Sequence, residues 1–183
     1  MKESIIKEVL DFTLPKYKQL PDLDLYMDQL ITYINATLAP LKTSEDQVFI
    51  TTAMVNNYVK QKLIPATQKK RYNRSQIAYL LAISFLKQVF SIQEILAFIT
   101  IQDKYYDTET AYDYLCTELE NALHAVFTES PLPEDSSTHK KEVRIFVRDS
   151  VLAFARKLHV QKLLNCYMAT NEIETPKDEE TAK

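Results

Sequence analysis

The 183-residue chain contains no glycine. Glycine reaches positive φ without steric cost and lets backbone come close to a phosphate, so its absence removes whole classes of fold and site. The P-loop, the G-x-G-x-x-G dinucleotide turn and the G-x-S-x-G nucleophile elbow all depend on it, and their chemistries are excluded in standard form. Two-residue hairpin turns, dominated by Asn-Gly and Gly-X, are disfavoured as well. With 46% hydrophobic and 26% charged residues the composition is that of an ordinary globular protein. The expectation is an all-α fold with at most a small β wing.

Net charge is only −3, but the charges are unevenly placed. Residues 1–46 hold five basic and eight acidic residues, and residues 94–183 hold ten and seventeen. Between Asp46 and Glu94 there is no acid, while Lys60, Lys62, Lys69, Lys70, Arg71, Arg74 and Lys87 all fall there. A helical core segment that merely lacked charge would be poor in cations too. A basic island in an acidic chain is the footprint of a face that meets a polyanion.

Helical periodicity starts at Ser4–Phe12 and resumes over Asp22–Ala39, where Leu23, Tyr26, Leu30, Ile34 and Leu38 share a face and Asp22 or Asp24 can cap. Residues 41–49 read as a polar loop. Thr51 caps a short helix over Thr52–Gln61, stopped by Pro65. Two capping boxes follow, Asn73-x-x-Gln76 and Ser91-x-x-Glu94, each opening an apolar helix. Further helices are expected over Glu109–Thr128 and His139–Met168, separated by a Pro-rich loop, and residues 170–183 read as a disordered acidic tail.

Short capped helix, Leu63-Ile64-Pro65 exit, basic loop closing on Tyr72 and two bracing helices follow one another in that order. Over Ile50 to Ile95 this arrangement resembles the DNA-binding half of the MerR family of transcription regulators. The resemblance implies a winged helix-turn-helix within a helical domain. Thr52, Asn56, Asn57, Lys60 and Lys62 would lie on or beside the recognition helix, and Lys69, Lys70, Arg71, Tyr72 and Arg74 in or beside the wing. The family's usual glycine after the recognition helix is replaced here, at Lys62. Across its whole length the chain resembles a bacterial family known only as domain of unknown function 1836, through Leu20–Asp28, Met54–Lys60 and Leu86–Ile95.

The chemistry of those side chains suits the role. Asparagine bonds adenine edges in the major groove in bidentate fashion, and flanking lysines and arginines neutralise phosphates and set register. The organisation expected is a helical lead-in (1–46), a MerR-like unit (47–102), a dimerisation and effector region (103–169) and a tail (170–183). Double-stranded DNA, a second copy of the chain and a small-molecule effector are the implied partners; no cofactor or metal is.

Rival signals are weaker. Asp103/Asp107, Glu109/Asp113 and Glu120/His124 each place two potential ligands one turn apart, but none converges with a second pair as hydrolytic or metal chemistry requires. Cys116, Cys166 and the three histidines lack metal-ligand spacing. Tyr105, Tyr106, Tyr112 and Tyr114 could line an effector pocket, although such rings more often pack between helices. No apolar run approaches the ~20 residues of a membrane span, and residues 1–6 lack a signal-peptide core. The expected protein is therefore cytoplasmic and not an enzyme. The alternative is a non-catalytic helical interaction module with a degenerate helix-turn-helix.

Overall fold

Seven buried apolar side chains surround the segment after Asn73, which makes it the central element of the structure. A computed structural model describes residues 3–65, 67, 70–135 and 137–169. Lys69 and the tail expected at 170–183 lie outside the described residues. In chain order the elements are α1 (Glu3–Leu10), β1 (Leu25–Tyr26), α2 (Met27–Thr37), α3 (Thr52–Lys60), β2 (Arg71–Tyr72), α4 (Arg74–Leu86), α5 (Ile92–Gln102), α6 (Thr108–Phe127) and α7 (Lys141–Ala169). The all-α expectation holds, with one two-stranded sheet of two-residue strands.

Helix α4 is apolar around most of its circumference, burying Ile77, Ala78, Leu80, Leu81, Ile83, Phe85 and Leu86. A helix hydrophobic all round must be enclosed. Its buried hydroxyl, Ser84, donates to Leu80 O at 2.6 Å and is thereby satisfied. Helices α2, α6 and α7 pack against α4 and α3 packs on α2, and their apolar faces join in a single core from Val9 to Leu158. Helices α6 and α7 run parallel, with Tyr114 beside His139, Glu118 beside Arg148 and Phe127 beside His159, and contribute Leu115, Leu119, Ala122 and Leu123 with Val143, Val147, Val151 and Phe154 to the core.

Both predicted capping boxes form. Asn73 Oδ1 accepts from Gln76 N at 3.0 Å and Ser91 Oγ from Glu94 N at 3.3 Å. The helix expected from Asp22 is shorter than its periodicity suggests. It begins at Met27, where Gln29 Oε1 accepts from Tyr26 N, and neither Asp22 nor Asp24 caps it. Residues 25–26 instead pair antiparallel with β2, Leu25 opposite Tyr72 and Tyr26 opposite Arg71. Leu23 is consequently 81% exposed rather than in the core. The physical reason is the period-two run Asp22-Leu-Asp-Leu-Tyr26, which suits an edge strand better than a helix turn.

Candidate nucleic-acid interface

Helix α3 is built from its cap inward. Thr51 Oγ1 accepts from Met54 N at 3.3 Å, and Val55 and Tyr58 anchor the inner face. Thr52, Ala53, Asn56, Asn57 and Lys60 are exposed, and at 100° per residue they form one continuous outward arc. Asn57 Oδ1 accepts from Gln61 Nε2 at 3.0 Å, which leaves Asn56 as the asparagine without a recorded side-chain partner.

The helix is held from behind by Asn35 of α2. Its Oδ1 accepts from Phe49 N at 2.8 Å and Ile50 N at 3.3 Å, and its Nδ2 donates to Ile50 O at 2.9 Å. One side chain thus fixes the chain immediately before the Thr51 cap. Nothing in local sequence pattern marks Asn35 for this task, because its partners are fourteen and fifteen residues away.

At the other end the missing glycine is replaced by strain. Lys62 has φ 59°, the left-handed region that L-residues avoid. Leu63 N donates to Tyr58 O at 3.0 Å and Lys62 N to Val59 O at 3.1 Å, the paired bonds of a Schellman cap. Lys70, at the far end of the basic loop, is also left-handed with φ 59°. Glu129 is the third such residue described.

The loop is clamped where it leaves and returns. Gln76 is buried, and its side chain accepts from Asn73 N through Oε1 at 2.9 Å while its Nε2 donates to Pro65 O at 2.9 Å. Pro65 and Asn73 are thereby both tied to the start of α4.

The basic residues fall into two sets. Lys60, Lys62, Lys70 and Arg71 are exposed. Arg71 Nη2 donates to Tyr26 Oη at 2.6 Å with its guanidinium 4.7 Å from that ring's centroid, so the pair lies across the β1–β2 ribbon. Arg74 and Lys87 are only partly exposed. Arg74 donates to Asp22 Oδ1 at 2.7 Å and sits 5.8 Å from the Tyr17 ring. The Lys87 ammonium is 6.0 Å from the ring of Tyr58, and burial holds its pKa below the usual lysine value. Burial likewise pushes the Tyr58 hydroxyl up to about 12.

Tyr72, expected among the contact residues, is 4% exposed. It closes the loop by entering the core and is not positioned to touch a ligand. Tyr26 and Asp22, which pattern reading assigned to a helix, are the partners of Arg71 and Arg74.

The rival constellations have structural jobs. Asp103 accepts from Tyr79 Oη at 2.9 Å, Asp107 caps α6 through Thr110 N at 2.8 Å, and Asp113 accepts from Tyr17 N at 2.6 Å. Glu109 pairs with Lys18 at 2.9 Å and Glu120 accepts from Leu14 N at 3.1 Å. Glu109, Asp113 and Glu120 together fasten residues 14–18 to α6. Among the described residues no group of three or more His, Cys, Asp or Glu is placed to hold a metal ion. Cys116 is buried, and that burial drives its thiol pKa up to about 12.

The rings of the tyrosine cluster are engaged with their neighbours. Tyr114 stacks on His139 at 4.2 Å and donates to Asp135 at 2.8 Å, Tyr106 meets the same imidazole at 4.5 Å, and Tyr112 is buried. Tyr105 is half exposed.

Comparison with known proteins places this site inside a single family match. The model of a domain of unknown function (DUF1836) matches residues 15–115, more than half of the chain. The chain belongs to this family. The family match runs from the segment fastened to α6 through α3, the basic loop and α5 into α6 itself, so it takes in every described residue of the α3 arc and the loop. No curated protein and no solved structure matches the chain. No described helix is long and apolar enough to cross a membrane.

Proposed function

We propose that this member of the family is a non-catalytic, MerR-like regulator that binds double-stranded DNA in the cytoplasm. The observation that carries the reading is the outward arc of α3, Thr52, Asn56 and Lys60, continued by Lys62, Lys70 and Arg71 within a stretch free of acids from 47 to 93. Asn56 reads a base edge in the major groove. The lysines and Arg71 contact phosphates and hold the helix in register. Residues 1–46 supply the positioning helix, 47–102 the reading unit and 103–169 the assembly and effector region.

One short helix reads few base pairs, and two-fold pairing on half-sites supplies the rest. A homodimer is therefore part of the proposal. Its support is the apolar surface left on α7, where Phe146, Leu164 and Met168 are each close to half exposed, an unusual amount for one helix of a monomer.

The protein-interaction alternative draws on one observation. Arg71 and Arg74 are both engaged by their own chain, through Tyr26 and Asp22, which leaves a smaller free cationic face for an acidic partner. Fluorescence anisotropy with duplex DNA across a salt series separates the two. DNA binding is expected to weaken linearly on log–log axes, with a slope of about −0.9 per phosphate contacted. Lys60→Gln and Lys70→Gln should each lower the slope on every sequence, while Asn56→Ala should lower preference for the operator over random duplex. Absence of binding at low salt defeats the regulator reading and leaves the adaptor.

A further inference from the structure

Helix α5 carries Ile92, Ile95, Leu96, Phe98, Ile99 and Ile101 around its circumference, yet only Ile95 of these is buried. A helix of that composition is ordinarily enclosed. Part of its open surface walls a cleft of ≈ 320 Å³ between α5, the end of α4 and α7, a volume at the low end of small-molecule sites. Leu86 and Ile95, both buried, form the floor, and the rings of Phe90, Phe98 and Phe146 stand around it. Phe98 and Phe146 meet edge-on with centroids 6.5 Å apart, near the long limit of aromatic contact, and do not close the gap.

The lining is otherwise hydrocarbon except at two places. Among the described residues Glu94 is its one ionisable group and Ser150 its one hydroxyl. Glu94 is exposed and stands on a rigid mount, the third position of α5, where Oε2 accepts from Ser91 N at 2.7 Å in the capping box. Hydrogen bonds from Ser91 hold its carboxyl below the usual range, so the group is an anion at neutral pH. A carboxylate offers about four acceptor positions, and the cap leaves some of them open. None of the ion pairs among the described residues includes Glu94. Three phenyl rings beside a fixed carboxylate favour a cation twice over, because the negative faces of the rings attract it as well. The apolar floor favours a hydrocarbon body on the same molecule.

We infer that the α5–α7 cleft is a binding site for a small organic monocation, a single ring on a short chain that ends in an ammonium group. The ring lies among Phe90, Phe98 and Phe146, and the ammonium meets Glu94. A homodimer seated on Leu164 and Met168 leaves the cleft open, since Leu164 lies about 27 Å along α7 from Phe146 at 1.5 Å per residue. The site does not rest on the regulator reading, because its walls are the bracing helices and not the α3 arc.

The test is an NMR titration of the full chain with phenethylammonium, phenethyl alcohol and hydrocinnamate, which share a ring on a short chain and differ in the charge of the head group. Saturable shifts of the Phe90, Glu94, Phe98 and Phe146 amides are expected. The ammonium should bind about fivefold more tightly than the alcohol, the worth of an exposed ion pair with a cation–π contact, and hydrocinnamate should bind weakest. Glu94→Gln keeps the capping box, since glutamine serves at that position, and should remove most of the preference for the ammonium while the alcohol binds as before. Ala97→Trp, at an exposed position of the lining, fills the cleft and should abolish binding of all three; should it disturb the fold, Ser150→Leu serves the same purpose. Equal binding of the three compounds, a preference unchanged in Glu94→Gln, or no saturable shift at these amides overturns the inference. Shifts at the same amides that grow with protein concentration without ligand, together with a doubled mass in sedimentation, assign the cleft to a second copy and overturn it as well. DNA binding is scored in a separate assay, and its loss bears on the regulator reading alone.

Discussion

Lys62 stands where its family resemblance calls for glycine, and the substitution can be turned into a measurement with two independent readouts. Holding an L-residue in the left-handed region costs about 1–2 kcal/mol, and Lys62 is held there by both bonds of the Schellman cap. Lys62→Gly removes that cost but adds about 0.4–1 kcal/mol of unfolded-state entropy. The net expectation is a gain of about 0.5–1 kcal/mol, or a Tm rise of about 2 °C for a chain of this size. Lys62→Ala keeps a Cβ, keeps the strain and should melt close to the wild-type chain. In DNA binding the two variants should behave alike, because both remove the ammonium: the salt slope falls by about 0.9. Differential scanning calorimetry and salt-dependent anisotropy measure the two quantities. If Lys62→Gly gains nothing over Lys62→Ala, the strain argument is wrong. If neither changes the slope, Lys62 is not a phosphate contact, and strain at that turn has no functional return.

Three further outcomes follow from the geometry. Asn35→Ala should cost about 2–3 kcal/mol by urea denaturation, since it strands the buried Phe49 N–H and frees the segment before the α3 cap; a loss under 0.5 kcal/mol would show that Asn35 does not hold α3. Arg148→Met should cost about 3 kcal/mol, because it leaves the Glu118 carboxylate, 5% exposed, without the guanidinium 3.2 Å away, and Glu118→Gln in the same chain should recover part of that loss. The imidazole of His139 lies between Tyr106 and Tyr114 with both nitrogens unpartnered, and burial lowers its pKa below 6.5, the nearby Asp135 opposing and Arg144 reinforcing the shift. The unfolded chain therefore binds the extra proton more readily than the folded one, so the stability difference between wild type and His139→Phe should shrink or reverse as pH falls from 7 through 6.5 toward the lowered folded value. A difference that stays constant over that range would place the imidazole in water.

Much of the architecture was legible residue by residue. Thr51, Asn73 and Ser91 announce their helices because a cap is a local event: the donor and acceptor lie three residues apart and need no tertiary partner. The core faces of α6 and α7 follow from apolar periodicity for the same reason. The error over Asp22–Ala39 came from an overlap of periods. Leu23, Tyr26 and Leu30 fit a helix, but Asp22–Tyr26 fits a strand as well, and the choice was made by Arg71 and Tyr72, some forty-five residues away. Within the candidate interface, exposure of Asn56 and Lys60 was readable from the spacing of Val55 and Tyr58. The burial of Tyr72 was not, since its position after three cations suggested a surface loop.

The sequence by itself determined that this chain would be helical, would lack glycine-built nucleotide sites, and would gather cations without acids between 47 and 93. Those properties are sums over composition and local pattern. The tertiary structure alone decided which cations remain free, because pairing depends on distance: Arg74 went to Asp22 and Lys87 to Tyr58, while Lys60, Lys62 and Lys70 stayed in water. It also decided that Gln76 would clamp the loop and that Gln102 would face a cavity unpaired. The two glutamines are indistinguishable in a one-dimensional pattern, and only the groups packed around each amide separate a satisfied hydrogen bond from an orphaned one.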